Sequence, residues 1–255
     1  MKKSHCLLSY THNEHFFLPI FLRYYSQFFP PEDIYIIENN SSDDFVYDLQ
    51  RKYLFSRLIH NTQYQNDFIS INSKLTETMQ LLLSKYKGIY LAESDEIIFH
   101  QEGFKKATQS YIRLPFSAIR CLGFEPIHDY TNKEPPIDPF KPLLQQRKLG
   151  WDNHYCRKPV FVKHPISYWE NMHNFDETYN FIDSKLLLIH LKMIDYDILW
   201  DRNQKTITKA NFHPDSIITG KGWQNRIENK KEFDNFFSMN LRKCDVIPEK
   251  YKNII

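Results

Sequence analysis

The chain has 255 residues, 42% of them hydrophobic and 25% charged, the profile of a folded protein with a sizeable core. Its 33 basic and 31 acidic residues nearly cancel, to a net +2, which removes the electrostatic reason to expect nucleic acid as the main partner. Only 6 glycines are present, with no G-x-G-x-x-G and no P-loop, and the 4 scattered cysteines form no C-x-x-C pair, against a glycine phosphate cradle, a disulfide scaffold or a zinc knuckle. No apolar run approaches the roughly 20 residues that span a bilayer, so the expected location is the cytoplasm.

In chain order, residues 5–10 read as a first strand, followed by the polar turn Thr11-His12-Asn13-Glu14. Phe16, Phe17, Ile20, Phe21, Tyr24 and Phe28 recur at helical spacing until Pro30-Pro31 stops the helix. Ile34-Tyr35-Ile36-Ile37 is apolar throughout and predicts a strand buried on both faces, ending in the capping-rich loop Glu38 to Asp44. A helix is expected over 44–55 and a short strand at 57–59. Phe68, Ile71, Leu75, Met79, Leu82 and Tyr86 mark a long helix over 65–87, with Gly88 as its stop. The strand Ile89 to Ala92 then runs into Glu93-Ser94-Asp95-Glu96. Alternating strands and helices predict an α/β fold whose mostly parallel sheet carries helices on both faces, with ligands beyond the strands' carboxyl ends. Asn13-Glu14, Asn39 to Asp43 and Glu93 to Glu96 all fall at such ends.

The second half is less regular. Strands are expected at 117–124, 158–163 and 186–190, a long proline-rich loop at 126–142, a helix at 192–202 and an amphipathic helix in the tail from Gly220. Glu93 and Asp95 stand at i and i+2, which in extended backbone aims both carboxylates to one side, a pattern suited to a hard divalent cation such as Mn²⁺ or Mg²⁺ and equally to an acidic turn.

Three segments together resemble the GT-A glycosyltransferases, specifically a bacterial family 2-like branch: the opening strand with Asn13-Glu14, the strand ending Glu38-Asn39-Asn40-Ser41-Ser42-Asp43, similar to that family's DNxSxD, and Glu93-Ser94-Asp95-Glu96, similar to its DxDEF. The resemblance covers residues 1–100. Glu93 stands where the family has Asp, and Ile97 where it has Phe. Gly123-Phe124-Glu125, 142–147, 155–159, 169–173 and 189–192 are similar, in the same order, to the branch's acceptor-side region. The implied organisation is a catalytic domain at 1–215, with a nucleotide-sugar half at 1–100 and an acceptor half at 101–215, and a helical tail at 216–255.

The resemblance implies a glycosyltransferase that moves a sugar from a nucleotide-sugar donor to a hydroxyl of a bacterial surface glycan or lipid-linked glycan, with inversion. It implies Asp95, Glu93 and a late histidine, His190, as metal ligands. Glu38 and Asn39, with Tyr10, Thr11, Glu14 and Asp43, would line the nucleotide, and Glu96 would face the acceptor. Arg147, Lys158, Lys192 and His173 are candidate phosphate or substrate contacts, and Trp151 a platform for a sugar ring. The acceptor's base is sought among Glu125, Asp152 and Asp129, with Glu125 favoured because it follows an apolar strand. The ordinary alternatives are a helix-capping role for Glu14 and for the 38–44 loop, surface ion pairs for the acids, and a hydrogen-bonded core histidine at 190. The basic-aromatic tail suggests peripheral membrane contact or simple packing. Two rivals share the fold class: a nucleotidyltransferase, although the glycine loop it would carry is missing after the first strand, and a non-catalytic glycan-binding scaffold.

Overall fold

The structure, a computed structural model, describes residues 1–61, 68–170, 174–175, 180–208 and 227–255. The described residues form two compact units, one from Met1–Thr62, Phe68–Gly123 and Asn153–Ile189, the other from Phe124–Asp152 and His190–Ile255.

The first unit is built on β1 (Lys3–Thr11), β2 (Ile34–Asn39), β3 (Ser56–His60) and β4 (Tyr86–Leu91), which lie in the order β4-β1-β2-β3, every pair parallel. They are joined by α1 (Phe17–Tyr25), α2 (Phe45–Tyr53) and α3 (Phe68–Lys85). The expected α/β architecture is therefore present. After β4 come β5 (Glu96–His100), α4 (Phe104–Arg113), β6 (Ala118–Ile127), β7 (Leu149–Asp152) and β8 (Pro159–Val162). β8 joins β4 antiparallel, with Ile89 opposite Val162 and Tyr90 opposite Phe161, and the start of β6 joins β8 antiparallel. β9 (Tyr168–Glu170) and β10 (Asn174–Phe175) form a separate hairpin pair, and β11 (Asn180–His190) pairs with β5.

Alternation along the strands divides the core between the two sheet faces. Cys6, Leu8, Ile37, Ile89 and Leu91 pack with Ile71, Leu75, Met79 and Leu82 of α3, the stripe expected from the three-and-four spacing. Residues of the opposite parity meet the other helices: Phe29, just after α1, lies 5.8 Å from Tyr90, and Phe104 of α4 lies 5.0 Å from Tyr90 between ring centroids. Helices thus cover both faces of this sheet.

Gly88 does not end α3. The helix stops at Lys85, β4 has already begun at Tyr86, and Gly88 sits inside the strand because a Cβ there would meet the Phe161 ring at 2.2 Å. Short β5 and α4 have no counterpart among the expected elements. Helix α5 (Tyr196–Thr208) begins four residues later than the apolar pattern indicates, since a 3₁₀ turn occupies Leu191–Met193.

The second unit pairs the end of β6 with β7, antiparallel, and β7 with β12 (Asp245–Val246). The tail is thus only partly helical: α6 (Lys230–Leu241) is followed by that strand and a 3₁₀ turn at Glu249–Tyr251. Phe233 and Phe237 of α6 are buried with Ile127, Tyr196 and Leu199. Among the described residues, no helix is long and apolar enough to cross a membrane.

Candidate functional site

β1 is the strand at which the chain reverses its progress across the sheet: β2 and β3 extend to one side of it, and β4 returns to the other. Loops at such a switch point diverge and leave a crevice beyond the strand ends. The first unit places Tyr10, Thr11, Glu14, Glu38, Asn39, Asp43, Glu93, Asp95 and Glu96 at or just past the carboxyl ends of β1, β2 and β4.

The loops after β1 and β2 are stitched together. Asn13 and Asn40 take left-handed backbone at φ 50° and 56°, which asparagine tolerates better than most residues. The Asn13 backbone N–H donates to Ser41 Oγ at 3.1 Å, and the Ser42 N–H donates to Asn13 Oδ1 at 2.8 Å. His12 Nδ1 lies 2.7 Å from the Asn39 carbonyl, which makes that nitrogen the protonated one. Glu38 accepts the Ser41 N–H at 2.5 Å, Glu14 accepts the Phe17 N–H at 3.1 Å at the head of α1, and Asp43 accepts the Phe45 N–H at 3.1 Å and pairs with His15 at 2.8 Å.

Two polar atoms break this pattern of satisfaction. Thr11 Oγ1 and Asn39 Oδ1 are buried, with their residues 1% and 4% exposed, and neither has a hydrogen-bond partner among the described residues. Thr11 and Asn39 end adjacent parallel strands. A buried polar atom without a partner costs about 1–3 kcal/mol, so such atoms are retained where something else supplies the bond.

The acidic segment is a turn rather than extended strand. The Glu96 N–H donates to the Glu93 carbonyl at 3.0 Å, and the Glu93 N–H donates to Glu96 Oε2 at 2.7 Å. The i, i+2 geometry expected of Glu93 and Asp95 therefore does not apply. Instead the carboxylates of Glu93 and Glu96 share one ammonium: Lys158 Nζ lies 2.8 Å from Glu93 Oε1 and 2.7 Å from Glu96 Oε1, with its side chain fully buried. The Tyr10 hydroxyl donates to Glu93 Oε2 at 2.9 Å, across the switch point between β1 and β4. Burial, with Glu93 adding to it, pushes the Tyr10 phenol well above its ordinary value, so it stays a donor. Asp95 is 4% exposed in the same turn. Tyr25 anchors the turn from α1, donating to the Glu96 carbonyl at 3.3 Å and accepting the Ile98 N–H at 2.7 Å.

Both oxygens of Glu93 and Glu96 Oε2 thus accept hydrogen bonds from protein donors, while buried Glu96 Oε1 accepts none and is met by its ion pair with Lys158. As placed, Glu93 and Glu96 form a carboxylate–ammonium cluster with Lys158, which leaves Glu93 without the open oxygen a divalent ion requires.

In the second unit, Glu125 on β6 stands directly opposite Trp151 on β7, so both side chains share a face. His190 Nδ1 lies 3.1 Å from Glu125 Oε1. Trp151 packs at the margin of the cluster around Phe233 and Phe237, and Asp152, one residue on, is exposed. Asp129 caps the 3₁₀ turn Tyr130–Asn132, accepting from Thr131 Oγ1 at 2.6 Å and Asn132 Nδ2 at 2.5 Å. Burial opposes charge on Asp129, but these bonds prevail and hold its carboxyl below the usual range, which suits a cap and weakens it as a base. Arg147 is fully buried and its guanidinium donates to the Ile194, Pro135 and Gln146 carbonyls and to Asp195 at 3.1 Å. It ties the proline-rich loop to the head of α5. Lys192 is half-buried in the 3₁₀ turn before α5. His173 lies outside the described residues.

The residue whose part sequence reasoning underrated is Lys158. Its signal is a lysine abutting the wholly apolar run Pro159-Val160-Phe161-Val162. Continued past its last pair, the β4–β8 register brings Lys158 opposite Glu93.

No protein-family model and no curated protein matches the sequence. Among solved structures, the chain is similar to mouse xyloside xylosyltransferase 1 in its apo form, at 10% identity and a TM-score of 0.29, over 49% of this chain and 52% of that one. It is also similar to 4-diphosphocytidyl-2C-methyl-D-erythritol synthase from Anaerococcus prevotii, at 11% identity and a TM-score of 0.33, over 92% and 96% of the two chains. The match spans about half the length of the xylosyltransferase. Likenesses this weak carry no argument about activity, which rests on the residues themselves.

Proposed function

We propose that the chain is a glycosyltransferase that moves a sugar from a nucleotide-sugar donor to a hydroxyl of a bacterial surface glycan, with inversion. The observation that carries the reading is the pair of unpartnered buried atoms, Thr11 Oγ1 and Asn39 Oδ1, at the carboxyl ends of neighbouring parallel strands. A nucleoside offers the hydrogen-bonding groups they lack, and the ordered loops at 11–14 and 38–43 give it a preorganised seat.

In an inverting transfer the acceptor hydroxyl attacks the anomeric carbon as the nucleotide leaves, and a base takes the hydroxyl proton. Glu125 is the proposed base: its carboxylate is buried on a strand and oriented by His190 at 3.1 Å. Trp151, opposite it, offers a ring to an acceptor sugar. Glu38 is held by the Ser41 N–H and keeps a second oxygen for a ribose hydroxyl.

The test is nucleotide release from UDP-, GDP-, CMP- and dTDP-sugars in the presence of glycan acceptors. One donor class is expected to turn over, and Glu125→Gln to lower kcat by about 10²–10⁴ with little change in donor KM. A non-catalytic glycan-binding protein is the second reading, favoured by the internal neutralisation of Glu93 by Lys158. Glycan binding with no turnover of any donor would select it.

A further inference from the structure

We propose that the Lys158 ammonium is the resident cation of the acidic turn: it takes the place of a divalent ion between Glu93 and Glu96, and the chain holds no metal through those two carboxylates. The proposal rests on the reading of this rim as a donor site, since that reading is what calls for a cation here.

The geometry is that of a filled site. Nζ is within 2.8 Å of one oxygen from each carboxylate. The remaining oxygens are also engaged, Glu93 Oε2 by the Tyr10 hydroxyl and Glu96 Oε2 by the Glu93 backbone N–H. A divalent ion seated between these acids would have to displace an ammonium whose side chain is wholly buried. Placing it beside that ammonium instead would set like charges close together in a medium of low dielectric.

Nor is the lysine a surface residue that has folded inward by chance. It directly precedes β8, the strand hydrogen-bonded to β4, and its carbonyl accepts the Cys121 N–H at 3.3 Å. Backbone pairing therefore fixes the origin of the side chain beside the turn. Burial alone would lower the proton affinity of Lys158, but Glu93 and Glu96 reverse this and hold the ammonium above its ordinary value of 10.5. Lys158 is in these terms a positioning residue: it orients Glu93, which orients Tyr10.

The test is a titration of Mn²⁺ into the intact chain, without nucleotide, following the EPR signal of the free hexaaqua ion. The wild type is expected to leave that signal at its buffer value. Lys158→Met, which frees the two carboxylates, is expected to take up one equivalent, and Glu93→Gln in that background to release it. Uptake by the wild type that is lost in Glu93→Gln overturns the proposal. So does a folded Lys158→Met that takes up none. If Lys158→Met does not fold, wild type against Glu93→Gln still decides: equal, absent uptake supports the proposal. The titration involves no nucleotide, so failure of the donor reading in a nucleotide-binding assay is distinguishable from failure here.

Discussion

At the scale of single residues, the rim of the first unit divides into atoms that are satisfied and atoms that wait. Thr11→Val keeps the shape of the side chain and removes an unpartnered hydroxyl. The unliganded protein is expected to melt at the same temperature or higher, because a desolvation penalty of about 1–3 kcal/mol disappears. A lower melting temperature would mean the hydroxyl has a structural partner. Lys158 behaves oppositely. Truncating it leaves Glu96 buried and Glu93 partly buried without their counter-ion, and Lys158→Met is expected to lose about 3 kcal/mol in urea unfolding. Glu93→Gln in the same chain should recover part of that loss, since the two residues form one network. Loss of less than 1 kcal/mol on Lys158→Met would place the ammonium in solvent.

At the scale of elements, Gly88 and Arg147 each hold a junction. Gly88→Ala forces the Phe161 ring away from β4, where it now lies 2.2 Å from the added Cβ position. A ring end can move, so the expected cost is about 1–3 kcal/mol, and Phe161→Leu should relieve most of it. Strictly additive losses in the double variant would show that the contact is absent. Arg147→Met removes the fork that fastens the proline-rich loop to Ile194 and Asp195. Amide exchange is expected to quicken across 129–146 and to stay unchanged in α3.

The first four strands and their helices were legible because local pattern suffices there. Apolar strands alternate with α3's regular stripe, and alternation of that kind implies parallel pairing. The partnership of β8 with β4 was not, since it joins residues about 70 positions apart through short strands with no turn signal between them. Gly88 misled for a related reason: glycine at a helix end is a common stop, and only the long-range approach of Phe161 reveals its use in a strand. The candidate site follows the same rule. Thr11, Glu38 and Asn39 could be placed at strand ends from sequence, whereas the bonding of Glu93 to Lys158 and Tyr10 depends on two pairings across the sheet, 65 and 83 residues apart.

At the scale of the whole molecule, three buried groups that titrate at high pH act in one direction, while burial shifts Arg147 in the other. Lys158 binds its proton more tightly than a free lysine, and burial raises the phenols of Tyr10 and Tyr25 well above 10.0. Each folded value exceeds the unfolded one. The stability these groups confer is therefore whole below the unfolded values and is lost as pH rises from there through the folded ones. Urea unfolding is expected to show stability falling steeply above about pH 10, and Lys158→Met to shallow that fall by up to one proton, about 1.4 kcal/mol per pH unit. A flat alkaline limb would contradict both the lysine pair and the buried phenols.

A nucleotide seat at the ends of β1 and β2 is tested most directly by a thermal-shift panel. UDP, GDP, CMP and dTDP are each added to the wild type, to Thr11→Val and to Asn39→Leu. One nucleotide is expected to stabilise the wild type, by about 2.7 kcal/mol at a hundredfold excess over Kd, and each variant to lose most of that stabilisation. No shift with any nucleotide, or an equal shift in all three proteins, would contradict it.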